Sequence, residues 1–288
     1  MRLIVFVLAV ISSQMVFGQN TYLWKVSSKE NNSVSYLFGT YHHLGESYFR
    51  KYPILEKSLL SCDRVVTETE IKRDSVMKIF AGRVSIDLQG KIGTENYAQV
   101  KDILSNSTVD LGMLTPEELV GILQRKFETL NCEAFVATDQ YKLDQYIQTV
   151  AQQNGKPNYY LETVGQQLSY LDKSAGNKMT WNNAKKYTEI ILKQYEKYKK
   201  SGKSTCPALV DLYLNHGIEY KFSKSCSSFN DKQQQLIVTR NDKWMIDLSA
   251  LMKQGSLFVA VGAEHLNYEC GLIAQLKKLG YSVAPVKM

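Results

Sequence analysis

Four histidines occur in the 288-residue chain, and two of them close the same short phrase. Gly39-Thr40-Tyr41-His42 follows Tyr36-Leu37-Phe38, and Gly262-Ala263-Glu264-His265 follows Leu257-Phe258-Val259-Ala260-Val261. Each unit is an apolar run of strand character, a glycine that lets the backbone turn, and an imidazole just beyond. That spacing sets each imidazole at the C-terminal end of a strand. In a parallel sheet those ends gather on one side, where ligands bind. Imidazole nitrogens suit zinc, iron, cobalt or manganese, and a working site adds a carboxylate and leaves one position open. Glu68, after Arg64-Val65-Val66-Thr67, and Glu162, after Asn158-Tyr159-Tyr160-Leu161, are carboxylates at strand ends. Either one alone reads equally well as a helix cap or a surface group. His43 is a supporting neighbour of His42 or a solvent-facing ring, and His216, before Gly217, reads as a helix-end residue without a role. Arg240-Asn241 sits in a helix with Leu236, Ile237, Trp244, Met245 and Leu248. Its guanidinium is either a surface charge or, on the sheet side, a group that holds a carboxylate or stabilises an oxyanion.

The elements that must position these groups alternate along the chain. Strands are expected over Tyr22 to Val26 and Val34 to Phe38, joined through Ser27 to Ser33 as a hairpin, then near residues 64–68, 158–162, 257–261 and 281–286. Helices are expected between them. Thr115-Pro116-Glu117-Glu118 reads as a helix start with a capping box and a proline at the first turn. Asp139 to Asn154, Gln166 to Leu171, Trp181 to Lys200 and Asp231 to Lys253 have helical spacing. The pattern predicts an α/β fold: a largely parallel central sheet flanked by helices, with a helix-rich insertion within roughly residues 72–155 that caps the strand ends. No Pro- or Gly-rich linker divides the chain, so residues 19–288 read as one domain.

Residues 1–18 read as a signal peptide, with Arg2, an apolar run from Leu3 to Ile11, and small residues before Gln19. The expectation is an exported protein, periplasmic or secreted, without stable membrane insertion after cleavage. The formal charge of +7 is concentrated in a lysine-rich helix around residues 185–203, which reads as a solvated face rather than a nucleic-acid surface. Five cysteines leave at least one outside any intramolecular pair, and Cys206 with Cys226 is the expected bridge.

An ordered set of phrases carries a family resemblance. It comprises Leu23-Trp24-Lys25-Val26, Phe38-Gly39-Thr40-Tyr41-His42, Val65-Val66-Thr67-Glu68, Leu143-Asp144-Gln145-Tyr146, Gly155-Lys156-Pro157 and Leu161-Glu162-Thr163 with Gln167. Arg240-Asn241 with Trp244, then Val261-Gly262-Ala263-Glu264-His265-Leu266 and Gly271-Leu272 to Val283, complete it. The chain resembles the TraB/GumN family, to which TIKI-type metalloproteases belong. The resemblance implies a fold related to the erythromycin-esterase and ChaN-like proteins, with His42, His265, Glu68 and Arg240 at the functional positions.

It further implies a hydrolase dependent on a divalent ion (manganese, cobalt or zinc), acting on a peptide or small-molecule substrate. His42 and His265 would hold the ion with a carboxylate from Glu68 or Glu162. The remaining Glu would accept a proton, and Arg240 would stabilise the oxyanion. Relatives imply two rivals: a non-catalytic haem- or peptide-binding protein, and a metal-free esterase with His as general base. One departure from the family pattern is Tyr268, where a glycine is usual; a bulky ring there is expected to narrow the pocket or reshape the loop.

Overall fold

In a computed structural model, the described residues are 20–28, 33–70, 82–105, 110–136, 138–174, 179–202 and 206–288. The expected signal peptide and the tip of the first hairpin lie outside them. Six strands form one sheet in the order β4-β3-β5-β2-β1-β6. They are β1 Leu23–Ser27, β2 Val34–Thr40, β3 Arg64–Thr67, β4 Asn158–Tyr160, β5 Leu257–Gly262 and β6 Ser282–Val286. β4, β3, β5 and β2 run parallel to one another, whereas β1 is antiparallel to both β2 and β6. The fold is therefore α/β with a mostly parallel sheet.

Alternation along the central strands builds two cores. Phe38, Val65, Phe258 and Ala260 face one side, where they meet Phe49, Leu55, Leu59, Ile147, Val150, Val210 and Tyr213. Leu37, Val66, Val259 and Val261 face the other, against Trp244, Leu248, Met252, Ile273 and Leu276. Successive residues of a strand point to opposite faces, so unbroken apolar runs are what a sheet covered on both sides requires. All six residues of β5 are buried.

A third, separate apolar cluster joins Leu88, Ile92, Val100, Leu104, Leu114, Leu119 and Leu123 to Ile191. It is built by helices Leu88–Ile92, Thr94–Ile103 and Pro116–Asn131, together with Trp181–Ser201. The Thr115/Glu118 capping box opens Pro116–Asn131 as its sequence predicts. Helix Leu143–Gln153 buries its apolar stripe on the sheet instead of in this cluster.

The disulfide expectation is corrected. Cys206 pairs with Cys132 and Cys226 with Cys270, leaving Cys62 as a buried free thiol. Cys206 and Cys226 bound the same loop-rich segment, but each is carried by the fold to a different partner. Nearness in sequence does not measure nearness in space.

Candidate metal centre at the strand ends

The C-terminal ends of four adjacent strands supply four of the expected site residues. Thr40 lies opposite Gly262 in the β2–β5 ladder, and Thr67 opposite Ala260 in β3–β5. His42, His265, Glu68 and Glu162 therefore emerge along one edge, from β2, β5, β3 and β4 in turn. Arg240 reaches the same edge from helix Thr239–Gln254.

Glu68 is the hub. Its Oε1 accepts the Gly262 N–H at 2.7 Å and faces His42 Nε2 at 3.6 Å and His265 Nε2 at 3.9 Å. Its Oε2 accepts from Arg240 Nη2 at 2.5 Å and from Gln167 Nε2 at 3.3 Å. Arg240 also donates to both oxygens of Glu162, from Nη2 at 2.6 Å and Nε at 3.2 Å. That fork-on-fork contact fixes the plane of the guanidinium, which also lies over the Trp244 ring at 4.5 Å. The Glu162 side chain has no solvent exposure.

Each imidazole is held from behind. His42 Nδ1 lies 2.7 Å from Asp144 Oδ2, and Thr40 Oγ1 donates to Asp144 Oδ1 at 2.9 Å. His265 Nδ1 lies 2.6 Å from Asn241 Oδ1. Asn241 Nδ2 donates to the carbonyls of His265 and Cys270, so its oxygen must be the atom facing the ring. The ring then carries its proton on Nδ1 and presents a lone pair at Nε2, which accepts from Arg240 Nη1 at 3.2 Å.

The electrostatics separate the two histidines. Burial pushes His265 down to about 3, helped by Arg240, so it is neutral. Desolvation also opposes charge on His42, but Asp144 and Glu68 outweigh it and hold that ring up to about 10. His42 is the exposed member, its side chain 49% accessible, and forms the open wall of the site. Burial works against the Glu68 carboxylate, yet the two histidines, Arg240 and the Gly262 N–H hold it down to about 2. Burial raises Glu162, and Arg240 only partly offsets it.

A local irregularity turns Arg240 and Asn241, neighbours in sequence, both inward. Gln234–Val238 is a π-helical turn at the start of the helix. One extra residue in a turn shifts the register of the later residues, and the Leu236 carbonyl within it accepts from Arg240 Nη1 at 3.3 Å. Asn241 and Asp144, the groups behind the rings, are the parts that residue-by-residue reading leaves without a role. Both stand in the phrases that carry the family resemblance, and their signal is a short polar side chain in an otherwise apolar helix face.

The donor types of His42, His265 and Glu68 suit a divalent ion, though among the described residues no group of three or more His, Cys, Asp or Glu is placed to hold one. In tetrahedral coordination with bonds near 2.1 Å, ligand atoms stand about 3.4 Å apart, close to the two Glu68–imidazole separations. Gly262 leaves the space: a Cβ there would stand 2.9 Å from His42 Nε2 and 3.4 Å from Glu68 Oε1. The Arg240 contact to His265 Nε2 has to yield. The cavity of ≈ 890 Å³ is elsewhere, between residues 92–99 and 185–201 of the helical cluster.

A model of the TraB/PrgY/gumN family matches residues 22–285, from the start of β1 to the end of β6. The chain belongs to the TraB/PrgY/gumN family. No curated protein matches it significantly. Tyr268, three residues beyond His265, adopts a left-handed φ of 69°. Its ring is packed edge-on against Phe229 at 5.1 Å, with Lys224 Nζ over it at 5.7 Å. A side chain in that region costs about 1 kcal/mol or more, so the surrounding packing has to hold it there.

Proposed function

We propose that this TraB/PrgY/gumN protein is an exported hydrolase dependent on a divalent metal ion, and that its substrate is a peptide. One observation carries the reading. Two imidazole Nε2 atoms from adjacent strands face a single carboxylate oxygen, Glu68 Oε1, while both Nδ1 atoms are engaged from behind. Carboxylate or amide partners behind a ring fix its tautomer and aim its free nitrogen, as metal-binding histidines need. Charge supports it too. Among the described residues the charged partners of Glu68, Glu162 and Asp144 are Arg240 and His42, leaving one negative charge, and exchanging the His42 proton for a divalent cation neutralises the site.

His42, His265 and Glu68 would hold the ion, which would supply a water of near-neutral pKa as nucleophile. Glu68 suits this place because its proton affinity is lowered and it stays anionic. Glu162 suits the proton acceptor because its affinity is raised. Arg240 is aimed by Glu162 and Glu68, and its Nη1 lies beside the His265 imidazole, where it would meet an oxyanion. The choice of peptide rests on the likeness to TIKI-type relatives. Export is supported by two disulfides, which fit an oxidising compartment. No helix among the described residues is long and apolar enough to cross a membrane.

The His42–Asp144 contact favours a second reading, a metal-free esterase in which the half-exposed imidazole, once deprotonated, is the general base. Calorimetric titration with manganese, cobalt and zinc, paired with hydrolysis of a peptide library and of ester substrates with and without chelator, separates the two. Metal-dependent peptide cleavage lost in His42→Ala and His265→Ala supports the first. Ester cleavage indifferent to chelation replaces it with the second.

A further inference from the structure

Beyond Thr40 and Gly262 the sheet ladder ends, so it does not by itself fix the two histidines. A different segment spans both loops. Residues 206–226 are stapled at each end, by Cys132–Cys206 and by Cys226–Cys270. Between the staples the chain is tied to each motif loop through one side chain: its own Tyr213 at the first, and at the second Asn267 of the loop, which bonds the segment's backbone.

At the first unit the grip is Tyr213. Its hydroxyl donates to the Gly39 carbonyl at 2.6 Å, and its ring stacks on Tyr22 at 3.9 Å. The Gly39 N–H donates to the Tyr22 carbonyl at 2.9 Å, so both polar groups of the turn glycine are tied down. At the second unit the grip is Asn267. Its Nδ2 donates to the Glu219 carbonyl at 3.1 Å, and its Oδ1 accepts from the Lys221 N–H at 2.6 Å and the Tyr268 N–H at 2.8 Å. The Glu269 N–H donates to the Lys224 carbonyl at 3.1 Å. Cys270, at the far staple, offers its carbonyl to Asn241, the amide that orients His265. The middle of the segment is pinned to β1, where the Tyr220 hydroxyl donates to the Thr21 carbonyl and accepts from Trp24 Nε1.

We propose that residues 206–226 form a clamp that sets the separation and aim of His42 and His265, with Tyr213 in the clamp and Asn267 on the loop it holds as positioning residues. The consequence for ion binding rests on the metal reading above; the consequence for local order does not. Tyr213→Phe removes one hydroxyl and keeps the stacked ring. Asn267→Ala removes the amide from the second loop. Leu209→Ala, at an exposed position on the same helix as Tyr213, serves as control.

The test is hydrogen–deuterium exchange of the intact oxidised protein, with manganese and zinc titrated calorimetrically into the same samples. Tyr213→Phe is expected to speed exchange at residues 39–43 and leave residues 263–268 near native, and Asn267→Ala to do the reverse. Each is expected to weaken ion binding about tenfold or more, as loss of an orienting group behind a ligand does. Replacing either cysteine pair by serine should loosen the loop next to that staple. Native exchange in both motif loops of Tyr213→Phe and Asn267→Ala overturns the clamp. So does acceleration spread evenly over the sheet, which marks a plain structural brace. If the native protein binds neither metal, the function reading fails while the exchange pattern still decides the clamp.

Discussion

His42 Nδ1 stands 2.7 Å from Asp144 Oδ2, so the exposed histidine of the pair is backed by a full negative charge. Its counterpart His265 is backed by the neutral amide of Asn241. The two rings also differ in protonation: Asp144 and Glu68 hold His42 up to about 10 against desolvation, whereas burial pushes His265 down to about 3. Asp144→Asn should bring the metal-free His42 pKa down toward the ordinary imidazole value, read from ring-proton NMR shifts against pH. A titration unchanged from native would remove Asp144 as the cause.

Because His42 holds a proton at neutral pH and has to lose it to become a ligand, ion uptake should release about one proton. Affinity should then tighten about tenfold per pH unit below the His42 pKa. Calorimetry in buffers of different ionisation enthalpy measures the proton count directly. A count near zero would place the ion away from His42.

Gly262→Ala is the sharpest probe of the donor set. The strand-end φ of −52° and ψ of 137° suit alanine, so the fold should keep its stability within about 1 kcal/mol. The new methyl would intrude at 2.9 Å from His42 Nε2 and displace it. Ion affinity and hydrolysis should fall at least about tenfold with an almost unchanged melting temperature.

Arg240→Met leaves Glu68 and Glu162 buried without their shared cation. Loss of one partner from such a buried group costs about 3–5 kcal/mol, to be read from urea unfolding. Arg240→Met combined with Glu162→Gln should recover part of that loss, since one buried charge disappears with its partner.

Glu68 gives the acid dependence its sign. Its folded pKa, about 2, lies below the ordinary 4.5. Its contribution is present in full above the unfolded value and drains away as pH falls from about 4.5 through 2. Glu68→Gln should flatten the loss of stability across that window; a slope equal to native would assign the acid sensitivity to other carboxylates.

The strand ends of the site were legible because a strand, a glycine and a histidine in succession declare both the element and where it stops. Glu68 and Glu162 were legible on the same ground. The resemblance named Arg240, but its direction was not legible, since it depends on the π-turn at Gln234–Val238, and a period of 3.6 residues assigns no face across an inserted residue. Asn241 and Asp144 read as ordinary helix polars because their meaning lies in which ring each meets across the fold. The cysteine pairs were hidden for the same reason: Cys132–Cys206 spans 74 positions and Cys226–Cys270 spans 44.

Cys62 gives the odd cysteine count a last consequence. Lying buried, with burial pushing its thiol up to about 12, it is ionised in roughly one molecule in 10⁵ at pH 7, and only the thiolate attacks a disulfide. Once the native pairs have formed, the fifth sulfur is a spectator to thiol exchange. The chain can therefore carry an unpaired cysteine through an oxidising compartment without scrambling its own cross-links.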